Sequence, residues 1–419
     1  MLLNLRAGAL SACLILLFAS TLPACHKGVS TPSDKALELP PNSGEVISAS
    51  NDFAFNFFRT TLRQDVAGNT NKLISPLSIY TALSMVYNGA AGSTKDSMAK
   101  TMALAGIPAS RLNALNNALI EQMPHEDSKV QLSIANSIWY DQHRAQPKPG
   151  FLDTIQRDYA ATLQSLDFSN SSAVRTINSW VAQQTNDKIP SIIDQISPDD
   201  LMYLINAVYF NGAWKYGFKT SDTHNAPFYK QDGTTVNAPF MNQKITLRRY
   251  FGPGYTLVEL PYGTGKAFNM YILLPTDAHQ SLDSFALSLD LASLTTAFSH
   301  LDSGSIQLSL PKWEYSYSID DMKPNLARLG MGIAFGRDAD FSGMYSTSVY
   351  ISKAVHKTYI KVNESGTEAA AVTAIGITYT ALPAGPPPLI IDHPFVYLIT
   401  EKQTGSMLFM GLLNDPLAN

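Results

Sequence analysis

Two stretches, VQLSIANSIWY at residues 130–140 and LMYLINAVYF at 201–210, narrow the folds open to this chain more than any other feature. Both are rich in β-branched and aromatic residues and nearly continuously apolar. A strand with one face in water alternates, so these two must be covered on both faces and belong to the centre of a large sheet. The chain has 419 residues, 45% of them hydrophobic and 15% charged, which is enough apolar material to bury such a sheet.

Around these runs the periodicity changes along the chain. Phe53, Phe57, Phe58 and Leu62 recur at helical spacing behind Asn51 as a cap, and the aromatic stripe reads as core packing. Residues 76–89 predict a second helix, with Pro76 in its first turn and Gly89 near its end. Further helices are expected over 94–104, 110–123, 150–160 and 171–186. Shorter strands are expected near 245–250, 255–260, 267–274 and 305–310, then at 354–364, 394–400 and 406–412. Helices crowd the first half and strands the second, which predicts one α+β unit instead of alternating βαβ units. No internal repeat is visible.

The N-terminus carries a targeting pattern: Arg6, an apolar or small run over 7–20, and then Leu22-Pro23-Ala24-Cys25. That tetrapeptide resembles the lipobox of bacterial lipoprotein signals. The resemblance implies cleavage before Cys25, a palmitate-type lipid on the mature N-terminus, and a place on the cell envelope or outside it. A signal peptide without lipid, in which Cys25 is incidental, is the alternative. Residues 1–24 are thus read as signal peptide, 25–47 as a flexible tether rich in Ser, Pro and Gly, and 48–419 as the folded domain. Cys13 lies in the signal and Cys25 is acylated, so the mature fold keeps no cysteine for disulfides, metal or redox chemistry. Loss of Arg6 with the signal takes the net charge from −4 to −5. That balance, without a basic stripe, argues against nucleic acid or another polyanion as partner.

An enzyme leaves little trace in this sequence. No two of the eight histidines stand at the i, i+4 spacing of a zinc helix, and no G-x-S-x-G elbow occurs. Gly89-Ala-Ala-Gly-Ser-Thr-Lys95 has the wrong order for a phosphate loop and reads as a helix end followed by a Ser/Thr cap. Neither a metal nor a cofactor is expected.

One segment fits none of these categories. Residues 364–391, ESGTEAAAVTAIGITYTALPAGPPPLII, hold only two charges, Glu364 and Glu368. In an extended conformation Thr367, Ala369, Ala371, Thr373, Ile375 and Ile377 share a face that is small at its start, apolar further on and uncharged. Glu368 points the other way. Such a strand could slip into an existing sheet where tight clearance demands small groups. A linker would be more polar, and an Ala-rich helix would tolerate Gly376 and the β-branched run poorly.

The flanking residues resemble a known family. Lys361-Val-Asn-Glu-Ser-Gly-Thr-Glu-Ala-Ala-Ala-Val-Thr373 is similar to the serpin hinge, and Asp392-His-Pro-Phe-Val-Tyr-Leu-Ile399 with Leu408-Phe-Met-Gly411 to the serpin C-terminal signature. Ile74-Ser-Pro-Leu-Ser-Ile79, Asn88-Gly-Ala-Ala-Gly92, Leu204-Ile-Asn-Ala-Val-Tyr-Phe-Asn-Gly-Ala-Trp214, Leu310-Pro-Lys312 and Phe341-Ser-Gly343 follow the family's order from about 48 to 416. The resemblance implies a serpin fold: a large five-stranded sheet, two smaller sheets, about nine helices and an exposed reactive-centre loop. It also implies a monomeric, non-enzymatic, irreversible inhibitor of serine, or papain-like cysteine, endopeptidases. The cut loop would insert as a new strand and distort the acylated protease. A non-inhibitory relative, acting as a binding or chaperone-like envelope protein, is the alternative.

The residues that match family positions carry the implied roles. Glu364 and Trp214 match the breach, where insertion starts. Ser75, Ser78, Asn206 and His356 match the shutter beneath the opening sheet, with His356 hydrogen-bonding across strands that must separate. Gly366, Thr367, Glu368, Ala369, Ala370 and Ala371 match the hinge of inhibitory members. Sixteen residues on from Glu364 the reactive bond falls between Thr380 and Ala381, whereas counting back from Pro394 lands near Pro383. No Lys or Arg occurs from 365 to 391, so elastase-, subtilisin- or chymotrypsin-like targets are expected over trypsin-like ones.

Overall fold

The computed structural model describes residues 36–64, 69–197, 200–367 and 388–418. The helices are α1 (Ser43–Gln64), α2 (Pro76–Gly89), α3 (Gly92–Thr101), α4 (Ala109–Gln122), α5 (Pro149–Tyr159), α6 (Ser172–Gln184), α7 (Leu282–Ser288), α8 (Leu291–Ser299) and α9 (Lys323–Leu326). The strands of the first half are β1 (Lys72–Ile74), β2 (Val130–Asp141), β3 (Thr162–Leu166), β4 (Met202–Ala213), β5 (His224–Tyr229) and β6 (Thr235–Phe251). The rest are β7 (Tyr255–Pro261), β8 (Phe268–Pro275), β9 (Asp302–Pro311), β10 (Trp313–Ile319), β11 (His356–Asn363), β12 (Gly366–Thr367), β13 (Pro388–Ile390), β14 (Phe395–Glu401) and β15 (Met407–Leu413).

The two apolar runs do form the middle of a large sheet. β2 and β4 pair antiparallel from Val130 opposite Gly212 to Tyr140 opposite Met202, within the order β10-β11-β12-β4-β2-β3. Both faces are covered, as the composition required. Val208 and Phe210 enter the main core, while Trp139, Tyr203 and Ile205 pack on the other face with Ile177 and Val181 of α6. β12 is a two-residue stub, so the sheet amounts to the five expected strands with the beginning of a sixth between β11 and β4.

The two smaller sheets expected are joined into one nine-stranded array, β1-β15-β14-β8-β7-β6-β9-β13, with β5 on β6. The join is β6, whose 17 residues outrun any single neighbour. Its Arg249–Phe251 end pairs with β7, its middle with β9 and its start with β5. β14 and β15 are buried along their whole length.

Several local expectations change. α1 begins at Ser43, eight residues before Asn51, which sits inside the helix and donates from Nδ2 to the Gly405 carbonyl at 3.0 Å. Leu37 is buried and exchanges hydrogen bonds with Gln403, so the last part of the tether expected over 25–47 is docked from Leu37 onward. The Ser/Thr cap expected near residue 93 is absent: Ala91 caps α3 without a side-chain bond, and Thr94 is buried, its Oγ1 accepting from the Asp340 N–H at 2.8 Å. The signal peptide and Cys25 lie outside the described residues.

Candidate functional site

The site is the seam between β4 and β11. At its upper end β11 runs into the turn Glu364–Ser365, and the chain folds back as β12 into the seam. Gly366 stands opposite Asn363 on one side and Ala213 on the other; Thr367 stands opposite Val362 and Gly212. Only glycine fits first, because Gly366 has φ 151° and a Cβ there would lie 2.1 Å from the Gly212 carbonyl oxygen. Thr367 is buried, and its Oγ1 meets the Tyr262 hydroxyl at 2.5 Å. Thr367, where the expected uncharged face begins, therefore points into the protein; the rest of that face lies outside the described residues.

Trp214 and Glu364 are brought together here by the backbone between β11 and β12. The Trp214 indole N–H donates to the Asn363 carbonyl at 2.9 Å and its backbone N–H to the Ser365 carbonyl at 2.9 Å. Its ring stacks on Tyr262 with centroids 4.5 Å apart. Glu364 accepts from Thr223 Oγ1 at 2.9 Å and pairs with Lys312 Nζ at 3.0 Å. Burial raises the Glu364 pKa, but hydrogen bonds from its own backbone, Lys312 and Thr223 outweigh that and hold it below the ordinary carboxylate value.

Halfway down the seam are the four residues expected to form a shutter. Ser75 caps α2, its Oγ accepting from the Ser78 N–H, while its own N–H donates to His356 Nε2 at 3.0 Å. Ser78 Oγ reaches the Asn206 carbonyl at 3.5 Å, and Asn206 Nδ2 donates to Asn136 Oδ1 at 2.7 Å. His356 thus ties β11 to the start of α2, and not across to another strand as expected; the tie to β4 runs through Ser78. The reason is position: the N–H groups of a first helical turn have no partner inside the helix, so an unprotonated ring nitrogen is a ready acceptor. Burial pushes the His356 pKa down to about 3.

Among the described residues no ladder joins β4 to β11 directly; β12 alone pairs with both. Below the shutter the two strands border a cavity of about 420 Å³, lined by Met202 and Leu204 of β4, Ile351 and Val355 ahead of β11, and Leu83 and Val86 of α2. Ser78, Asn206 and His356 form part of its wall. Glu368, Ala369, Ala370, Ala371, Thr380 and Ala381 lie outside the described residues.

Sequence reasoning missed Tyr262, Thr223 and Asn136, which touch the site through tertiary contacts alone. Lys312 was in view within Leu310-Pro-Lys312, but nothing in that tripeptide names Glu364 as its partner.

The described sheet is thus parted between two central strands, β4 and β11, with Gly366 and Thr367 in the gap. The family model for serpins (serine protease inhibitors) matches residues 48–416, and the chain belongs to the serpin family. Leukocyte elastase inhibitor of Bos taurus is 35% identical over 385 residues, covering 89% of this chain and all of that protein. The native thermophilic serpin tengpin superposes with a TM-score of 0.81 at 31% identity, over 91% of this chain and 96% of its own. Human thyroxine-binding globulin complexed with thyroxine superposes with a TM-score of 0.80 at 29% identity, over 89% and 99%. Serpins are mostly protease inhibitors and not catalysts.

Proposed function

We propose that this serpin is a suicide-type inhibitor of serine endopeptidases with elastase-, subtilisin- or chymotrypsin-like pockets. The observation that carries this reading is β12: Gly366 and Thr367 are paired to both β4 and β11 at the top of a seam that no other described strand bridges. Continuing the same register places Thr373 opposite Asn206 and His356, with Ile375 and Ile377 opposite Leu204 and Met202. The uncharged face of the loop then meets the shutter and the cavity beneath it, residue for residue. Every second position of β11 that this face would touch, from Val362 to His356, is buried.

In the reaction the protease serine attacks the Thr380 carbonyl, the Thr380–Ala381 peptide bond breaks with the amine of Ala381 leaving, and Thr380 remains as an ester on the enzyme. Insertion of the freed strand carries the acylated protease with it. Water then attacks too slowly in the distorted active site to release it. The absence of Lys and Arg from 365 to 391 and the likeness to leukocyte elastase inhibitor support the choice of target.

The likeness to thyroxine-binding globulin favours a second reading, a binding protein that does not trap. Mixing the protein with elastase, subtilisin and chymotrypsin and running denaturing gels separates the two. A detergent-stable complex is expected; cleavage without any complex would leave the second reading. For location, we infer an envelope-bound inhibitor held by a lipid on Cys25.

A further inference from the structure

Asp127 follows α4, is buried, and has no part in the site described above. Its carboxylate accepts three hydrogen bonds. Oδ1 takes the Lys129 N–H at 2.9 Å, and Oδ2 takes the Thr264 N–H at 2.7 Å and the Thr264 hydroxyl at 2.8 Å. Thr264 lies in the turn between β7 and β8. The turn sits directly on the carboxylate: Gly263 has φ 57°, and a Cβ there would come within 2.3 Å of Asp127 Oδ1. On its other side the same turn touches the seam. Gly263 N–H donates to the Ala213 carbonyl at 2.7 Å, Tyr262 stacks on Trp214, and the Tyr262 hydroxyl meets Thr367.

We propose that Asp127 is a positioning residue for loop insertion: through the Thr264 turn it holds Tyr262 against Thr367 and so seats the first side chain of the incoming strand. This rests on the inhibitory reading. Thr367 makes its contact with Tyr262 before any cut, at the place the register assigns to it afterwards. The ordering cost of starting the strand has then been met in advance, and the remaining residues zip onto a formed end. Insertion races deacylation, so a strand that starts later loses more inhibitor to simple cleavage. Without the carboxylate, the Thr264 N–H and hydroxyl lose their buried acceptor, the turn shifts, and Tyr262 no longer holds its partner.

The test uses the full chain with Asp127→Ala, Asp127→Asn, Tyr262→Phe and the Asp127→Ala/Tyr262→Phe double variant. Hydrogen exchange over 362–367 is measured in uncleaved protein, and stoichiometry of inhibition against an elastase. Asp127→Ala and Tyr262→Phe should each speed exchange there about tenfold and raise the stoichiometry at least about twofold, with the β2–β4 ladder unchanged. The double variant should be no worse than the stronger single one, since both cut the same chain of contacts. Asp127→Asn, which can keep an oxygen toward Thr264, should recover most of the loss. Additive effects, or unchanged exchange at 362–367 in folded Asp127→Ala, would overturn the proposal. Should Asp127→Ala fail to fold, Thr264→Val removes one of the same bonds and must give the same pattern in smaller measure. A wild type that never traps an elastase defeats the inhibitory reading alone, and the exchange measurement still decides the role of Asp127.

Discussion

Single residues in this seam hold two different kinds of constraint, steric and electrostatic. Thr367 shows the steric one, because its side chain is buried between β4 and β11 and faces Tyr262. Thr367→Arg would place a guanidinium there, at a cost of several kcal/mol for a buried charge without a partner. Insertion should slow while recognition at Thr380 and Ala381 is untouched, so the variant should turn from inhibitor into substrate. Stoichiometry of inhibition decides it: trapping as efficient as wild type would remove Thr367 from the hinge. His356 supplies the electrostatic case. Its folded pKa of about 3 lies below the ordinary value of 6.5, so its contribution is complete above pH 6.5 and is lost as pH falls toward 3. In that window the unfolded chain binds a proton that the folded imidazole refuses. Between pH 6.5 and 5 the loss amounts to roughly 2 kcal/mol. His356→Gln keeps an acceptor for the Ser75 N–H but does not titrate. Denaturant unfolding at the two pH values should show a shallower acid slope for the variant, and equal slopes would refute the assignment.

Among elements, β12 is the informative one, since its two paired residues give the register that an inserted strand would continue. Cleavage at 380–382 should let the segment complete its strand. It gains ladder hydrogen bonds on both sides and buries Ile375 and Ile377 over a cavity now bordered by Met202 and Leu204. Burying a few hundred Å² of apolar surface contributes on the order of 5–8 kcal/mol, enough to raise Tm by roughly 6–10 °C in a chain this long. Differential scanning calorimetry before and after a clean cut measures it. An unchanged Tm would mean that the strand does not insert. Elements with strong periodicity were legible beforehand: α2, β2, β4, β8, β14 and β15 lie within a few residues of their expected ends. β10 was missed although its burial alternates at Trp313, Glu314, Tyr315 and Ser316. β1, β3, β5 and β13 were missed too; their lengths of three to six residues carry too few side chains to show a period. α1 was placed too late because Val46, Ile47 and Ala49, which bury its first turns, are weaker signals than the phenylalanines behind them.

For the molecule as a whole, the proposed location and the proposed inhibition rest on separate segments. Lipid on Cys25 should hold the folded domain at the envelope, since two or more acyl chains anchor stably where one does not. Cys25→Ser should release the protein from the membrane fraction without changing the stoichiometry of inhibition by the purified domain. Fractionation followed by blotting checks this, and an unaltered membrane share would rule out the lipid. The partition is sensible only if the domain folds without its leader. Leu37 docks on Gln403 and α1 starts at Ser43, both beyond the proposed cleavage point.

The amino-acid sequence alone determined which runs become buried central strands, where the small uncharged face of the loop begins, and the family to which its motifs point. These are local matters of hydrophobic period, side-chain volume and charge, and each can be read from neighbours along the chain. Partnership was decided by the tertiary structure. His356 meets Ser75 instead of another strand, Lys312 meets Glu364, and Asp127 reaches Thr367 through a turn 137 residues away in the chain. Hydrogen bonds and ion pairs act over a few ångströms of space, whatever the separation in sequence. The groups that hold the seam therefore became visible only once β4, β11 and the β7–β8 turn had been packed together.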